Sequence, residues 1–263
     1  MIIHANGINV HYELSGDSTA AGVLMFAHSL GSDLSIWEAQ KSALAGRHTV
    51  LRYDLRGHGQ TAAPSGAYDF DLLAADAIAL LDALKIATAS FVGISLGGMI
   101  GQALALRAPA RLKKLVLADT TAAYPPETQA LWPERIRQIE ATGLEPLIAP
   151  TLDRWFTAPY RSSHPETVAR IGNLIRHTSP TGYIGCCHAI AGLKFAELLP
   201  AIRVPTLVLV GELDSGTPPA MARQLACAIP DARLEIIAGA AHLSNIEQAD
   251  RFNDLLWEFL TVQ

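Results

Sequence analysis

The chain has 263 residues, of which 50% are hydrophobic and 17% are charged, and its formal net charge is -5. This length predicts one sizeable core with an insertion, and no charged block or low-complexity tract marks a disordered tail. The negative charge, with no basic stripe between aromatic residues, argues against a nucleic-acid partner. We therefore expect the partner to be a small molecule.

Three features of the chain bear on where it resides. Residues 1–7 lack a basic segment and a long apolar one, and Asn6-Gly7 between apolar runs predicts a β-hairpin that already belongs to the fold. No run of about 18 apolar residues occurs, so we expect no membrane span. The three cysteines, Cys186, Cys187 and Cys227, are odd in number and lack metal-ligand spacing. We expect a cytoplasmic protein with reduced thiols and no metal.

Apolar runs typical of buried strands alternate with helical patterns from residue 23 to residue 119, and again from residue 205 onwards. Such alternation predicts a mostly parallel sheet with helices on both faces. A final helix is predicted over residues 246–260. The clearest strand patterns are residues 23–27, 89–92, 114–118, 205–211 and 234–237.

Residues 93–97 read GISLG, directly after one of these strands and directly before a helical run. A serine on a sharp strand-to-helix turn adopts strained backbone angles that expose its hydroxyl, and flanking glycines leave room for close packing. This context predicts Ser95 as a nucleophile. The alternative is a glycine-rich helix start that packs on the sheet without any catalytic role.

A nucleophilic serine needs a base, and the base needs an orienting acid. His242 lies between the last predicted strand and the final helix, and Asp214 follows the strand before it. We predict His242 as the base and Asp214 as the acid. Glu212, in the same turn as Asp214, and Asp119, after the strand at residues 114–118, are the rival acids.

Backbone amides can stabilise the oxyanion that forms when a serine attacks a carbonyl group. One such amide is expected from Leu96, the residue after the nucleophile. The other is expected from residues 28–31 (HSLG), which follow the strand at residues 23–27. We assign the amide of Leu30, with Ser29 as the alternative, and we expect His58 to order the neighbouring loop.

Between residues 121 and 195 the strand pattern gives way to short helical stretches with proline and tryptophan. An insertion here predicts a helical cap over the carboxyl ends of the strands, where open α/β sheets place their ligands. We predict a core of residues 1–121 and 196–263, with residues 122–195 as the cap. Trp132 and Trp155 of the cap either line the site or anchor the cap to the core.

With these motifs in place, the chain resembles the α/β-hydrolases, and more narrowly the 3-oxoadipate enol-lactonases of aromatic-compound catabolism. The order Ser95, Asp214, His242 is the α/β-hydrolase order. The resemblance spans nearly the full length and is carried by residues 29–37, 52–59 and 93–99, by the cap residues 154–157, His177-Thr178, Gly182-Tyr183 and Cys186, and by residues 242–247. His28 departs from the family, which often has asparagine there.

The resemblance implies a mostly parallel eight-stranded sheet with a helical cap. It also implies a serine hydrolase that opens 3-oxoadipate enol-lactone to 3-oxoadipate, with no metal and no organic cofactor. Trp132, Arg135 and Trp155 would contact the substrate, a lactone or ester that carries a carboxylate. Arg135 shares a helix face with Trp132 and is our choice for that carboxylate over three other arginines of the cap, Arg137, Arg154 and Arg161.

Other activities on the same scaffold remain open at this point. A general carboxylesterase, a carbon-carbon bond hydrolase and a perhydrolase would all use the same three catalytic side chains. From another class, a catalytically inactive binding protein of the same fold would be expected to lose one of them.

Overall fold

The computed structural model describes residues 1–16 and 22–261. Within this part of the chain, eight strands form one sheet in the order β1-β2-β4-β3-β5-β6-β7-β8. The strands are β1 Ile2–Ala5, β2 Ile8–Ser15, β3 Val23–Ala27, β4 Thr49–Tyr53, β5 Ala89–Ile94, β6 Leu112–Ala118, β7 Thr206–Gly211 and β8 Arg233–Ile237. The predicted mostly parallel eight-stranded sheet is confirmed.

The two antiparallel pairings lie at one edge of the sheet, where β1 pairs with β2 and β2 with β4. All pairings from β4 to β8 are parallel. Asn6 and Gly7 connect β1 to β2 with φ of 47° and 75°. Positive φ at both positions is what a two-residue hairpin turn requires, so the predicted hairpin is confirmed.

Helices cover both faces of the sheet, because strands buried on both sides need apolar partners on each. Helices α2, α3 and α10 pack on one face, and α1 and α12 pack on the other. None of the described helices combines the length and apolar character needed to cross a membrane. The helices are α1 Glu38–Leu44, α2 Phe70–Ala83, α3 Leu96–Arg107, α4 Pro126–Gln129, α5 Leu131–Thr142, α6 Glu145–Trp155, α7 Ala158–Ser163, α8 Pro165–His177, α9 Pro180–Ala191, α10 Pro219–Ala228, α11 Ser244–Glu247 and α12 Ala249–Thr261.

The predicted continuous helix over residues 246–260 is wrong in one respect, because the structure divides it into α11 and α12. Gln248 lies between them with φ of -129° and ψ of 54°, outside the helical region. The side chain of Glu247 turns back to accept hydrogen bonds from residues 157 and 241, and the chain bends where it does so.

Helices α4 to α9 lie between β6 and β7, within the residues predicted as the cap. Their contact with the core includes a backbone-to-backbone approach of two glycines. A Cβ atom added to Gly182 of α9 would lie 2.2 Å from the carbonyl oxygen of Gly57. Nearby, the amide of Tyr68 donates to the carbonyl oxygen of Gly185 at 3.1 Å. The contact therefore leaves no space for a side chain at residue 182.

We expect Gly182→Ala to lower the free energy of unfolding by about 1 to 3 kcal/mol, the usual cost of overpacking a close contact. Gly192→Ala is the matched control at the end of the same helix. Gly192 has ordinary angles, and an added Cβ would meet its nearest neighbour at 3.5 Å. We expect its effect to stay within about 0.5 kcal/mol. Urea denaturation measures both variants, and equal stability of the two would contradict this account of the contact.

Candidate active site

Ser95 occupies the turn between β5 and α3 with φ of 54° and ψ of -116°, a conformation that costs a non-glycine residue about 1 to 3 kcal/mol. Its flanking glycines make the turn sterically possible. A Cβ atom at Gly93 would lie 2.2 Å from the carbonyl oxygen of Gly97, and one at Gly97 would lie 2.1 Å from the carbonyl oxygen of Ala27. The structure therefore has the strained strand-to-helix turn that the GISLG motif predicts.

The three predicted catalytic side chains form one line of hydrogen bonds. Ser95 Oγ lies 2.9 Å from His242 Nε2, and His242 Nδ1 lies 2.8 Å from Asp214 Oδ2. Since a carboxylate only accepts, His242 donates from Nδ1 and accepts from Ser95. The second oxygen of Asp214 accepts from the amides of Gly216 and Thr217 at 2.8 and 3.0 Å. These bonds fix the acid so that it orients the imidazole.

Charge and burial act in opposite directions on this pair. Burial acts to lower the pKa of His242, but the charge of Asp214 and the hydrogen bond to it outweigh burial, so the pKa lies above its ordinary value. Burial acts to raise the pKa of Asp214, but the charge of His242 and hydrogen bonds from His242 and Thr217 bring it below its ordinary value. Asp214 therefore stays ionised and stabilises a protonated His242.

The two rival acids make other contacts. Glu212 accepts a hydrogen bond from the amide of Gly239 at 3.1 Å. Asp119 is fully buried, where its carboxyl oxygens accept from the amide of Gly211 and from the hydroxyl of Ser244. Burial, with the charge of Asp214, raises the pKa of Asp119 to about 8. Asp119 thus anchors the segment after His242 through its contact with Ser244.

Leu96 and Leu30 are predicted to supply the oxyanion amides. Leu96 is the first residue of α3, where backbone N–H groups have no partner within the helix. Leu30 lines the same cavity as Ser95. Ser29, the alternative, is buried and its hydroxyl contacts that of Ser32 at 3.0 Å. Of the two candidates only Leu30 lines the cavity, and the assignment of its amide stays a prediction.

Two buried histidines fix the loop that carries Leu30. His28 Nε2 accepts from the amide of Leu55 at 2.9 Å, while His58 Nε2 accepts from the amide of Gly31 at 3.0 Å. Burial lowers the pKa of His28 to about 4 and that of His58 to about 3, so both rings stay neutral and can accept. The loops after β3 and β4 thereby hold each other in place, and His28, the departure from the family, is part of this contact.

The triad opens into a cavity of about 300 Å³. The substrate residues predicted from the sequence, Trp132, Arg135 and Trp155, all line it, together with Ser95 and His242. Most of the remaining wall is apolar, and no carboxylate belongs to it among the residues that the structure describes. Across the same part of the chain, no three His, Cys, Asp or Glu side chains are arranged to hold a metal ion.

Trp155 lies where the cap, helices α4 to α9, meets the catalytic loop, the segment after β8 that carries His242. Its ring stacks on that of His242 with centroids 6.2 Å apart and an angle of 27°. Its carbonyl oxygen accepts from the amide of Leu243 at 3.1 Å. Trp155 therefore does both things that the sequence left open, since it lines the cavity and also anchors the cap.

Glu247 is a residue whose contacts sequence reasoning missed. One of its carboxylate oxygens accepts from the amide of Thr157 at 3.1 Å and from the hydroxyl of the same residue. The other accepts from the amide of Ala241 at 2.9 Å, one residue before His242. A single buried carboxylate thus joins the cap to the catalytic loop. The HLSNIE motif at residues 242–247 was the signal, but no role could be read from it.

Two of the four cap arginines considered for the substrate carboxylate line the cavity. The guanidinium of Arg135 lies 5.1 Å from the ring centroid of Trp132, as expected for residues on one helix face. Arg154 lines the cavity as well, which the sequence did not predict. Arg137 and Arg161 are instead paired with acidic residues of the cap.

Sequence comparison identifies relatives along almost the whole chain. Residues 22–249 match the alpha/beta hydrolase fold family. The chain is 37% identical over 249 residues to 3-oxoadipate enol-lactonase 2 of Acinetobacter baylyi, which covers 95% of this chain and 92% of that protein. It is 32% identical to 3-oxoadipate enol-lactonase 1 of the same organism, covering 99% and 96%. These relatives confirm the resemblance that the sequence motifs indicated.

Structural comparison agrees with the sequence relatives. The crystal structure of the enol-lactonase from Burkholderia xenovorans LB400 superposes with a TM-score of 0.96 at 39% identity, covering 100% of both chains. A thermophilic esterase from Thermogutta terrifontis, solved with malate bound, superposes with a TM-score of 0.93 at 27% identity, covering 99% of this chain and 98% of that one. The protein belongs to the α/β-hydrolase family.

Proposed function

We propose that the protein is a serine hydrolase that opens 3-oxoadipate enol-lactone to 3-oxoadipate, a reaction of aromatic-compound catabolism. The observation that carries this proposal is that one cavity holds Ser95 with its hydrogen-bonded His242, and also the Trp132–Arg135 pair. The first two supply acyl transfer, and the pair supplies a site for a small planar carboxylate. The relatives named enol-lactonase support this choice of substrate.

The first step is attack of Ser95 Oγ on the ring carbonyl carbon while His242 Nε2 takes the hydroxyl proton. The carbonyl oxygen becomes an oxyanion, which the amides of Leu96 and Leu30 stabilise without reorganisation of water. Asp214 stabilises the positive charge that His242 now carries. The distance of 2.9 Å between Ser95 Oγ and His242 Nε2 is suitable for this transfer.

The tetrahedral intermediate collapses by breaking the bond between the acyl carbon and the ring oxygen. The ring oxygen keeps the electron pair and leaves as an enolate, which takes the proton of His242 and becomes a ketone. Water then attacks the acyl ester of Ser95 while His242 takes its proton. Ser95 recovers that proton as the ester bond breaks, and 3-oxoadipate is released.

Residues 122–195 form the cap of the site in this proposal, between core segments 1–121 and 196–263. The cap supplies Trp132, Arg135 and Trp155 to the cavity. The guanidinium of Arg135 binds the carboxylate of the lactone beside the indole of Trp132. The apolar side chains of the wall, such as Leu30, Met99 and Ile190, accommodate the ring.

The deciding experiment compares purified wild-type protein on the enol-lactone and on p-nitrophenyl acetate. We expect kcat/KM for the lactone to be at least about 100-fold higher, because two charge-assisted hydrogen bonds to the carboxylate are available for the lactone alone. Ser95→Ala should lower both activities by about 10³-fold or more. Comparable efficiency on the two substrates would favour a general carboxylesterase.

The pH dependence of kcat/KM should report His242. Because its pKa is raised, activity should increase with pH through a midpoint above about 6.5, as the imidazole loses its proton. Asp214→Asn removes the charge that raises this pKa, so the midpoint should move down and the maximal rate should fall by about 10⁴-fold. Asp119→Asn should change the rate much less. The opposite order of the two variants would assign the acid to Asp119.

Arg135→Met tests the carboxylate site. We expect a higher KM for the lactone and a loss of about 2 to 4 kcal/mol in kcat/KM, with little change for an uncharged ester. Arg137→Met, which removes an exposed arginine paired with Glu134 on the same helix, is the control and should change neither substrate. An equal loss on both substrates with Arg135→Met would show that this residue supports the cap instead.

A further inference from the structure

A second guanidinium faces the cavity besides the one that the proposed substrate carboxylate needs. Arg154 lies in the last turn of α6 and lines the cavity with Ser95 and His242. Its Nη2 donates to Thr151 Oγ1 at 3.3 Å, and it forms no ion pair within the described residues. The adjacent acid, Asp153, is paired with Arg161 instead.

Two unpaired cations in one small cavity destabilise each other. Burial lowers the pKa of Arg154, and the charge of Arg135 lowers it further. Since no described carboxylate lines the cavity, the protein itself does not neutralise either guanidinium there. A ligand that brings negative charge to both positions would offset this repulsion.

The position of Arg154 relative to the reacting atoms indicates which negative charge of a ligand it would bind. It immediately precedes Trp155, whose ring stacks on His242. Its charge also acts on His242, whose pKa it lowers, as burial does, against the larger opposing effect of Asp214. Arg154 therefore lies at the His242 end of the cavity, whereas Arg135 lies against Trp132.

We infer that Arg154 is a second anion-binding residue of this site, and that the site is built for short molecules with two separated negative charges. The role of Arg154 in opening the lactone rests on the proposed function. The lactone carries one carboxylate, which Arg135 binds. When the oxyanion held by Leu96 and Leu30 collapses, the second negative charge passes to the ring oxygen, where the proton of His242 neutralises it. Hydrolysis of the acyl ester then leaves a negative charge on the new carboxylate. Arg154 stabilises this second charge.

The test of charge recognition needs no turnover. Binding of adipate, a stable six-carbon dicarboxylate, is compared with binding of hexanoate, a monocarboxylate of the same length, by isothermal titration calorimetry. We expect wild-type protein to bind adipate at least about tenfold more tightly, since one further charge-assisted contact contributes about that much. Arg154→Met should remove this preference and leave hexanoate binding within about threefold. Arg154→Lys should restore part of it, and Arg137→Met should change nothing.

Equal affinity of wild-type protein for the two acids would overturn the inference, and so would a parallel loss of both in Arg154→Met. Near-ultraviolet circular dichroism of each variant shows that a loss does not come from an altered cap. Charge recognition and lactonase activity can fail separately. If wild-type protein prefers adipate but does not open the lactone, the proposed function fails and the dianion site stands.

The kinetic test separates the two arginines on the lactone itself. Arg154→Met should lower kcat by about 10- to 100-fold with KM changed by less than about threefold, because the charge that it stabilises is absent from the bound lactone and develops as the acyl carbon–oxygen bond breaks. Arg135→Met should act mainly on KM. If wild-type protein opens the lactone and Arg154→Met raises KM with kcat unchanged, Arg154 binds the ground state, and its assignment to the second charge is wrong.

Discussion

The strained turn at Ser95 is the constraint on which the rest of the site depends. A serine with positive φ persists only where neighbouring elements hold it. Here β5, α3 and the end of β3 approach one another closely because Gly93 and Gly97 have no side chains. The same approach lets the amide of Gly97 donate to the carbonyl oxygen of His28 at 3.1 Å. The loop that carries Leu30 is thereby held beside the amide of Leu96, so one turn positions the nucleophile and both predicted oxyanion donors.

In the loops around Ser95, backbone amides donate to buried side chains and not to water, as at Gly31, Leu55 and Ala241. His28 and His58 can accept from backbone amides because burial keeps their pKa values near 4 and 3. Asp119 and Glu247 hold the chain on either side of His242 through Ser244 and Ala241. Loops fixed in this way need little rearrangement when charge develops in the reaction, and such preorganisation is the main source of electrostatic catalysis.

The sequence predicted what depends on local pattern and missed what depends on distant packing. Apolar runs located the strands, and the ends of parallel strands brought Ser95, Asp214 and His242 together at one edge, as the hydrogen bonds show. The contact of Glu247 with Thr157 joins residues 90 positions apart, and no spacing rule reaches that far. The break in the final helix, at Gln248, lies directly after the residue that makes this contact. Arg154 differed from Arg137 and Arg161 only in which acids the folded cap placed beside it.

Residues 154–157 place a residue that lines the cavity next to residues that position His242. Arg154 faces the cavity, Trp155 stacks on His242, and Thr157 binds the carboxylate that also holds Ala241. Trp155 contacts the base directly, and Thr157 contacts it through Glu247 and Ala241. Arg154 contributes a single hydrogen bond, to Thr151, and its replacement leaves those contacts in place. A substitution at residue 154 can therefore change which ligand charge the cavity binds while the imidazole of His242 keeps its position.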